Sequence, residues 1–514
     1  MKKDYLYIMF IVCITGFIMF YRLGAIPLLD PDEPVYAQTA VEMLESNDFI
    51  SPQIYGGFWY DKPPMYYWLT AVSIFFLGNT EFAARLPSAI FAIFTVILVF
   101  IAGKKMFSRR AGLFAALILA TSIEFFYLGK AAVTDITLTF FFSLTLLAYA
   151  DKRYKLMYIA MACAVLTKGP VAIALPMAIV GCHCFSTKEY EAIKASKIFY
   201  GFIIVCSVAG PWYGLMSYLH GNDFIQTFIG YHNITRFLQP EHESGTKLYY
   251  YLPVLLIGFF PWSIYLLQAI KESLYNFKNE YGKLLQLLII WVGVVLIFFS
   301  LSQTKLVSYI LPLYPALALL TGWYLDKIVL NNQWQKLRSA IVILIAFSSI
   351  IIIELFMIAK TYLNFMSMQI FLLNSCLVIM VVLVAYAARN KNLRFYIGSL
   401  IGGMILFVTV LMQMVLPMAA EFVSTKDQAV TFQKIYTDKS IPVYIDKFYR
   451  PGFCFYSGTA GIELKDPLEN LLTTDRPAYF LVKKDKYINL AKEQQEGIVV
   501  LKEEKEKVML YKKS

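Results

Sequence analysis

Residues 82–128, FAARLPSAIFAIFTVILVFIAGKKMFSRRAGLFAALILATSIEFFYL, contain two apolar runs separated by a short basic turn. Each run has about the 17–25 residues that an α-helix needs to cross a bilayer. Of the 514 residues in the chain, 59% are hydrophobic and only 16% are charged, whereas soluble domains carry about 25% charged residues. The pattern predicts an all-α polytopic membrane protein.

Similar apolar runs recur along the chain and predict about thirteen transmembrane helices. The first follows Met1-Lys2-Lys3 without a small-residue cleavage pattern, so we expect a retained helix and not a signal peptide. The predicted spans are 5–23, 82–103, 110–128, 133–150, 155–167, 170–185, 198–217, 249–269, 284–301, 306–325, 338–359, 365–388 and 395–417.

The basic residues predict the orientation of these spans. One set of alternate loops is rich in Lys and Arg, as in Lys104-Lys105 with Arg109-Arg110, whereas each short loop of the other set has one Lys. Basic loops stay in the cytoplasm, so the N-terminus is expected inside and the C-terminus outside. This distribution also accounts for the net charge of +11 without a nucleic-acid partner.

The long loops 24–81 and 218–248 then lie outside, within a predicted membrane domain of residues 1–419. Residues 420–514 also lie outside. There, a helical stretch (Thr425–Tyr436) and short apolar β-type runs predict a C-terminal α/β domain. The predicted strands are Val443–Ile445, Tyr479–Val482, Ile498–Leu501 and Val508–Tyr511.

The first outer loop concentrates polar and aromatic residues in LLDPDEPVYAQTAVEMLESNDFISPQIYGGFWYDKPPMYYWLTAV, residues 28–72. Asp32 and Tyr36 share a face if a helix starts at Pro34, and Glu33 adjoins them. Trp59 and Lys62 follow in the WYDKPP stretch. An ordinary interfacial loop, with acids as helix caps and aromatics as membrane anchors, is the alternative.

Other ionisable residues are expected on the same side of the membrane. Asp135 and Lys168 lie at span mouths, His232 and Arg236 are four residues apart, and Lys305 lies in a short outer turn. Taken singly, each is explained as a capping or snorkelling residue. Together, acids and cations on one face suit an acceptor activated by a carboxylate and a cationic clamp on a leaving phosphate.

Seven motifs resemble, in order through about residue 320, the aminoarabinose-transferase-like branch of the bacterial polytopic glycosyltransferases with the GT-C fold. They are D-E-x-x-Y-A, W-Y-D-K-P-P, T-D, T-K-G-P, H-N-x-x-R-F, Y-Y-Y-L-P-V…P-W and S-x-x-K-x-x-x-Y-I-L-P. The resemblance implies an inner-membrane enzyme, expected to be a monomer, that takes a sugar from undecaprenyl phosphate at the periplasmic face. The implied sugar is 4-amino-4-deoxy-L-arabinose or a related amino sugar, and the implied acceptor is lipid A phosphate.

Carried over by position, the resemblance implies roles for single residues. Asp32 and Asp135, with Glu33 alongside, are the candidate catalytic acids. Some members bind zinc through an acid before the lysine and a later histidine, which here are Asp61 and His232. The implied substrate-binding residues are Tyr36, Trp59, Lys62, Lys168, Arg236 and Lys305.

Two other functions remain open at this point. A protein O-mannosyltransferase of the same fold also has an acidic first loop and a lipid-phosphate donor, but it uses a polypeptide acceptor. A lipid or solute transporter needs charged or broken helices near the bilayer midplane. Here most ionisable residues lie at span ends, and Glu124 and Glu354 are the main exceptions.

Overall fold

The computed structural model describes residues 2–239, 247–361, 366–472 and 476–513. Residues 240–246 of the predicted loop 218–248 and the first residue of the predicted span 365–388 lie outside this part. The chain divides into two compact units. The first unit comprises residues 1–21, 60–66 and 87–412, and the second comprises residues 22–59, 67–86 and 413–514.

Helices build the first unit, and apolar composition explains most of them. One π-helical stretch (Ile225–Thr235) and two 3-10 turns (Trp262–Tyr265 and Val307–Leu313) interrupt the α-helices. Helix Glu81–Met106 begins in the second unit. The others are Lys2–Phe20, Arg109–Ala120, Ile123–Lys130, Asp135–Ala150, Tyr154–Lys168, Val171–Thr187, Tyr190–Ser196, Ile198–Val208, Gly210–Phe224, Arg236–Leu238, Tyr251–Gly258, Leu266–Tyr275, Gly282–Leu301, Tyr314–Leu330, Gln335–Thr361, Ser367–Arg389 and Leu393–Val410.

Helical structure occurs at each of the thirteen predicted spans, but many of these helices are short or bent. Within the described ranges, five helices are long and apolar enough to cross a membrane, and three bent helix pairs could each form one more span. Four further apolar helices have 10–17 residues. Helix length alone therefore does not reproduce thirteen crossings, and that number stays a prediction.

Small residues let helices of the first unit pack closely. Gly322 in helix Tyr314–Leu330 lies against the backbone of Ala111 and Ala115 in helix Arg109–Ala120, where a Cβ atom would collide. Ser108 caps the second of these helices by accepting a hydrogen bond from the N–H of Ala111 at 3.0 Å. Such close contacts at small residues are typical of membrane helices. Lipid is as apolar as their side chains, so these helices associate through close packing and not through the hydrophobic effect.

The second unit contains a five-stranded mixed sheet. Its spatial order is Ile462–Glu463, Val443–Ile445, Ala478–Lys483, Lys507–Lys512 and Ile498–Glu504. The first three strands are parallel and the remaining pairs are antiparallel. The other elements are a two-stranded hairpin (Gln53–Ile54 and Gly57–Phe58) and helices Asp32–Ser46, Leu416–Val423, Lys426–Ile435, Arg450–Ser457, Leu468–Leu472, Lys484–Ile488 and Lys492–Glu496. Helix Met65–Leu77 and the short π-helix Leu411–Val415 begin in the first unit and end in the second.

Side chains alternate across this sheet, so each face has its own core. Phe432 and Phe453 pack with Leu481 on one face, and Leu472 packs with Phe480 on the other. The four predicted strands and the predicted helix Thr425–Tyr436 all form, with small changes at their ends.

Three local predictions are corrected by the structure. The helix expected from Pro34 begins at Asp32, where acidic residues interact favourably with the dipole of the first turn. The predicted loop 24–81 contains an additional apolar helix, Met65–Leu77. Helix Gly210–Phe224 and the π-helical stretch that follows it make the described part of 218–248 largely helical.

Candidate active site

A cavity in the first unit collects five ionisable side chains: Asp61, Lys62, Lys168, His232 and Arg236. About 900 Å³ of space without protein atoms lies between its walls, open solvent included. The rest of its wall is mainly apolar, so the cavity combines charged groups with an apolar surface. The apolar lining consists of Leu138, Phe142, Val171, Ala172, Leu175, Phe228, Phe237, Phe298, Phe299 and Pro312.

The carboxylate of Asp61 is the centre of a cationic cluster. Its Oδ1 lies 2.8 Å from Nζ of Lys62, 2.8 Å from Nδ1 of His232 and 3.2 Å from Nη1 of Arg236. Burial would raise the pKa of this carboxyl, but Lys62, His232 and Arg236 together hold the pKa well below its ordinary value. Asp61 is therefore ionised and holds three basic side chains at one edge of the cavity.

Two separate pieces of chain supply this cluster. Asp61 and Lys62 precede Pro63-Pro64, which restrict the backbone at the end of the first outer loop. His232 belongs to the π-helical stretch Ile225–Thr235, and Arg236 begins the next helical turn. His232 and Arg236 both contact the same oxygen of Asp61.

A second ion pair, Lys168 with Asp135, joins the end of one helix of the first unit to the start of another. The Nζ of Lys168 donates to Oδ1 of Asp135 at 2.6 Å and lies 5.0 Å from the centre of the Tyr309 ring. Asp135 begins helix Asp135–Ala150, and Lys168 ends helix Tyr154–Lys168. Lys168 lines the cavity, whereas Asp135 stands behind it. The structure thus pairs two predicted site residues and gives Asp135 the place of a partner for Lys168.

Lys305 is placed near the cavity but does not line it. Its side chain is buried, and Nζ donates to the carbonyl of Ser302 at 2.5 Å. Ser302 and Thr304 do line the cavity. Lys305 therefore shapes the turn that carries these hydroxyl groups, and its predicted contact with substrate stays a prediction.

Several lining residues were not singled out by the sequence analysis. Asn233, Ser302 and Tyr309 contribute polar atoms to the wall. All three lie inside motifs that were quoted, next to His232 or around Lys305. The available signal was thus their position in the motif. Their residue types alone, an amide, a hydroxyl and an aromatic ring, are too common to mark a site.

Asp32, Glu33, Tyr36 and Trp59 belong to the second unit. Asp32 is exposed at the start of helix Asp32–Ser46. The ring of Tyr36 lies 5.8 Å from that of Tyr67. The backbone N–H of Trp59 donates to the carbonyl of Pro52 at 2.8 Å. Their contact with a substrate stays a prediction.

Glu33 is buried and held by Arg85. Its Oε1 accepts from Nε of Arg85 at 2.8 Å, and its Oε2 accepts from Nη2 at 2.6 Å. Oε2 also accepts from the N–H of Leu29 at 2.8 Å. This bidentate pair gives Glu33 a structural position, and the geometry offers no support for its predicted catalytic role.

The predicted zinc site has only two candidate protein ligands, Asp61 and His232. Among the described residues, no group of three or more His, Cys, Asp or Glu side chains is arranged to hold a metal ion, whereas structural zinc sites have four ligands. The Asp61 oxygen nearest His232 also contacts two permanent cations. These residues do not fit a resident zinc ion, and a bound divalent metal stays a prediction.

The chain is similar to several known proteins. A family model described as dolichyl-phosphate-mannose-protein mannosyltransferase matches residues 61–214. A protein of Aquifex aeolicus without an assigned function is 32% identical over 331 residues, which cover 64% of this chain and 74% of that protein. An undecaprenyl phosphate-alpha-4-amino-4-deoxy-L-arabinose arabinosyl transferase of Pectobacterium carotovorum is 30% identical over 345 residues, covering 63% of this chain and 61% of the transferase.

The chain thus spans about three fifths of the length of that curated transferase. The crystal structure of ArnT from Cupriavidus metallidurans bound to undecaprenyl phosphate matches with a TM-score of 0.80 at 19% identity. The match covers 98% of both chains. The two proteins therefore share a fold over nearly their whole length.

Proposed function

Because the chain belongs to the GT-C family of polytopic membrane glycosyltransferases, in its aminoarabinosyl-transferase-like branch, we propose that it transfers a sugar from undecaprenyl phosphate to a lipid acceptor. The sugar is 4-amino-4-deoxy-L-arabinose or a related amino sugar, and the acceptor is lipid A phosphate. The reaction takes place at the periplasmic face of a bacterial inner membrane, with the N-terminus of the chain in the cytoplasm.

The observation that carries this proposal is the cationic edge of the cavity. Lys62, Lys168 and Arg236 line one groove whose remaining wall is mainly aromatic and aliphatic. A polyprenyl phosphate has the complementary chemistry, since its phosphate needs cations and its tail needs an apolar path. Lysine binds phosphate as a point charge, and arginine can bind two phosphate oxygens with its planar fork.

The proposed reaction is a displacement at the anomeric carbon of the sugar. An oxygen of the acceptor forms a bond to that carbon while the bond to the donor phosphate oxygen breaks, and the electron pair leaves with the phosphate. Negative charge on the leaving phosphate grows in the transition state, so Lys62 and Arg236 stabilise the transition state more than the bound donor. Asp135 holds the ammonium group of Lys168 in place for the same purpose.

In the proposed reaction Asp32, which the family resemblance makes a candidate catalytic acid, orients the acceptor. An acceptor phosphate is already ionised near neutral pH, so the reaction needs a positioned nucleophile more than a strong base. Asp32 is exposed at the first position of helix Asp32–Ser46, which suits this role.

A polypeptide acceptor is the second candidate. The family model that matches residues 61–214 is described by its mannosyltransferase activity on proteins. Such an enzyme would use the same cationic cavity for a polyprenyl-phosphate mannose donor. The choice between the two functions therefore rests on the acceptor.

The test is transfer of radiolabelled sugar from undecaprenyl phosphate to lipid A by the purified protein. We expect Arg236→Ala to raise KM for the donor or to lower kcat, with a combined loss in kcat/KM of about 10- to 100-fold, because a charge-assisted hydrogen bond contributes about 1.5–3 kcal/mol. Asp32→Asn should lose transfer while donor binding is retained. The matched control is Lys194→Ala, which removes an exposed cation that pairs with Glu191 at the surface.

Each result has a defined meaning. Transfer to a mannose-accepting peptide instead of lipid A would favour the second candidate. A wild-type protein that fails to bind the donor lipid would contradict both functions. Full activity of Arg236→Ala would contradict the proposal that the cationic cavity stabilises the leaving phosphate.

A further inference from the structure

The three acids of the first outer loop have different surroundings in the second unit. Asp30 and Glu33 are 5% and 4% exposed, whereas Asp32 between them is exposed to solvent. Buried carboxylates are costly unless hydrogen-bonded or paired. The hydrogen-bond partners of Asp30 and Glu33 therefore show how the chain is held on either side of Asp32.

Asp30 is bound by the C-terminal segment, which we define as residues 413–514. Its Oδ2 accepts hydrogen bonds from the N–H of Thr425 at 3.0 Å and from the hydroxyl of Thr425 at 2.9 Å. Its Oδ1 accepts from the N–H of Gly452 at 2.7 Å. Three donors from residues about 400 positions away in sequence thus satisfy one buried carboxyl group.

Gly452 provides independent evidence that this contact is specific. A Cβ atom at position 452 would collide with both carboxyl oxygens of Asp30 and with the hydroxyl of Thr425. The backbone at 452 can approach Asp30 only because glycine has no side chain. The helix that contains Gly452, Arg450–Ser457, also packs on helix Asp32–Ser46.

More contacts join the same two parts of the second unit. The hydroxyl of Tyr456 accepts from the N–H of Leu28 at 2.7 Å, and Nζ of Lys426 lies 2.5 Å from Oε1 of Glu81. The guanidinium of Arg450 lies 3.9 Å from the centre of the Tyr55 ring. The outer loop is thus fixed to the C-terminal segment before and after the acidic stretch.

Glu33 fixes the other side of Asp32. Its bidentate partner Arg85 also donates to the carbonyl groups of Leu23 and Ile26, at 3.1 Å and 2.6 Å. Asp32 therefore sits between two anchored residues, at the first position of helix Asp32–Ser46.

We propose that Asp30 is a positioning residue, through which the C-terminal segment holds the start of helix Asp32–Ser46 and so the carboxylate of Asp32. The anchoring itself follows from contacts within the second unit. Its consequence for turnover rests on the proposed function.

The test compares Gly452→Ala and Asp30→Asn with Gly497→Ala, in the full-length protein. Gly452→Ala pushes a methyl group against Asp30, and Asp30→Asn keeps the shape but turns an acceptor into a donor opposite an N–H group. The control adds a methyl group where no atom lies within 4 Å. Hydrogen exchange of residues 32–46, kcat and KM for transfer, and affinity for undecaprenyl phosphate are measured for each.

For Gly452→Ala and Asp30→Asn we expect faster exchange in residues 32–46 and a kcat lower by about 10- to 100-fold, since displacement of a reacting group by about 1 Å can cost this much. Affinity for undecaprenyl phosphate should change less than about twofold, because no charge in the cationic cavity is altered. Gly497→Ala should match wild type in all measurements. A variant that only unfolds would lose lipid affinity as well, and that separates misfolding from lost positioning.

Unchanged exchange in residues 32–46 of both variants would overturn the anchoring. Faster exchange with a normal kcat would overturn the positioning role. If the wild-type protein itself transferred no sugar while the variants still exchanged faster, the proposed function would fail and the anchoring would stand.

Discussion

At the scale of single residues, the contact between Lys168 and Asp135 leads to a quantitative prediction. Both side chains are largely buried, at 14% and 10% exposure, and their charged atoms are 2.6 Å apart. Asp135→Asn and Lys168→Met should each lower kcat/KM for transfer. Because Asp135 acts through Lys168, the double variant should be little worse than Lys168→Met alone, which corresponds to a coupling energy of about 1–3 kcal/mol in a double-mutant cycle.

Additive losses in that cycle would show that Asp135 acts on the substrate by itself. The same contact shows what sequence reasoning can reach. The charge distribution predicts that Asp135 and Lys168 lie on the same side of the membrane, because topology places whole loops, and this side stays a prediction. Their pairing could not be predicted, since it depends on where two helices end relative to each other. The predicted catalytic role of Glu33 has a related cause. Its partner Arg85 is 52 residues away along the chain, so the ion pair that gives Glu33 a structural position is not visible in the sequence.

At the scale of elements, the link between the outer loop and the C-terminal segment should depend on pH. Burial raises the pKa of Asp30 to about 7, although hydrogen bonds from Thr425 and Gly452 and the charge of Lys507 oppose the rise. Tyr55 and Tyr449 are the other titratable groups that face this carboxyl. In the unfolded chain an aspartate has a pKa of about 3.9, so the folded state keeps a proton that the unfolded state has lost.

By linkage, the stability that Asp30 contributes is fully present below about pH 4 and is lost as the pH rises to about 7. Asp30→Asn removes this titration. The midpoint temperature of unfolding of wild type minus that of Asp30→Asn should therefore be larger at pH 5 than at pH 8. Asp466→Asn, at an exposed position of the same unit, serves as the control. A constant difference between wild type and Asp30→Asn at both pH values would show that Asp30 does not titrate in this range.

Helix Met65–Leu77 shows where prediction of elements from sequence failed. This helix of 13 residues lies in the predicted outer loop 24–81, and it is shorter than a membrane-spanning helix. Phe75 and Phe76 are nevertheless 70% and 75% exposed. The strands of the C-terminal segment were easier to predict, because short apolar runs between polar turns are typical of β-structure.

At the scale of the whole molecule, the fold class could be predicted from composition and apolar periodicity, but the number of crossings could not be settled. A span is recognised by about 20 consecutive apolar residues. Several helices here are shorter or bent by more than 40° at a break, as in Tyr251–Gly258 with Trp262–Tyr275. Breaks of this kind are tolerated where protein or a cavity satisfies the freed backbone groups, and these partners are not visible in a hydropathy pattern.

The orientation of the chain is a separate prediction, and the side of the chemistry depends on it. In a protein whose seven native cysteines are replaced by serine, we introduce Lys439→Cys in the C-terminal segment or Lys278→Cys in the turn before helix Gly282–Leu301, both at exposed positions. Since basic loops remain in the cytoplasm, a membrane-impermeant maleimide should label Lys439→Cys in intact spheroplasts. It should label Lys278→Cys only after the membrane is permeabilised. The reverse labelling pattern would show that the predicted topology is inverted. The proposed transfer at the periplasmic face would then be wrong, even if the cationic cavity binds a lipid phosphate.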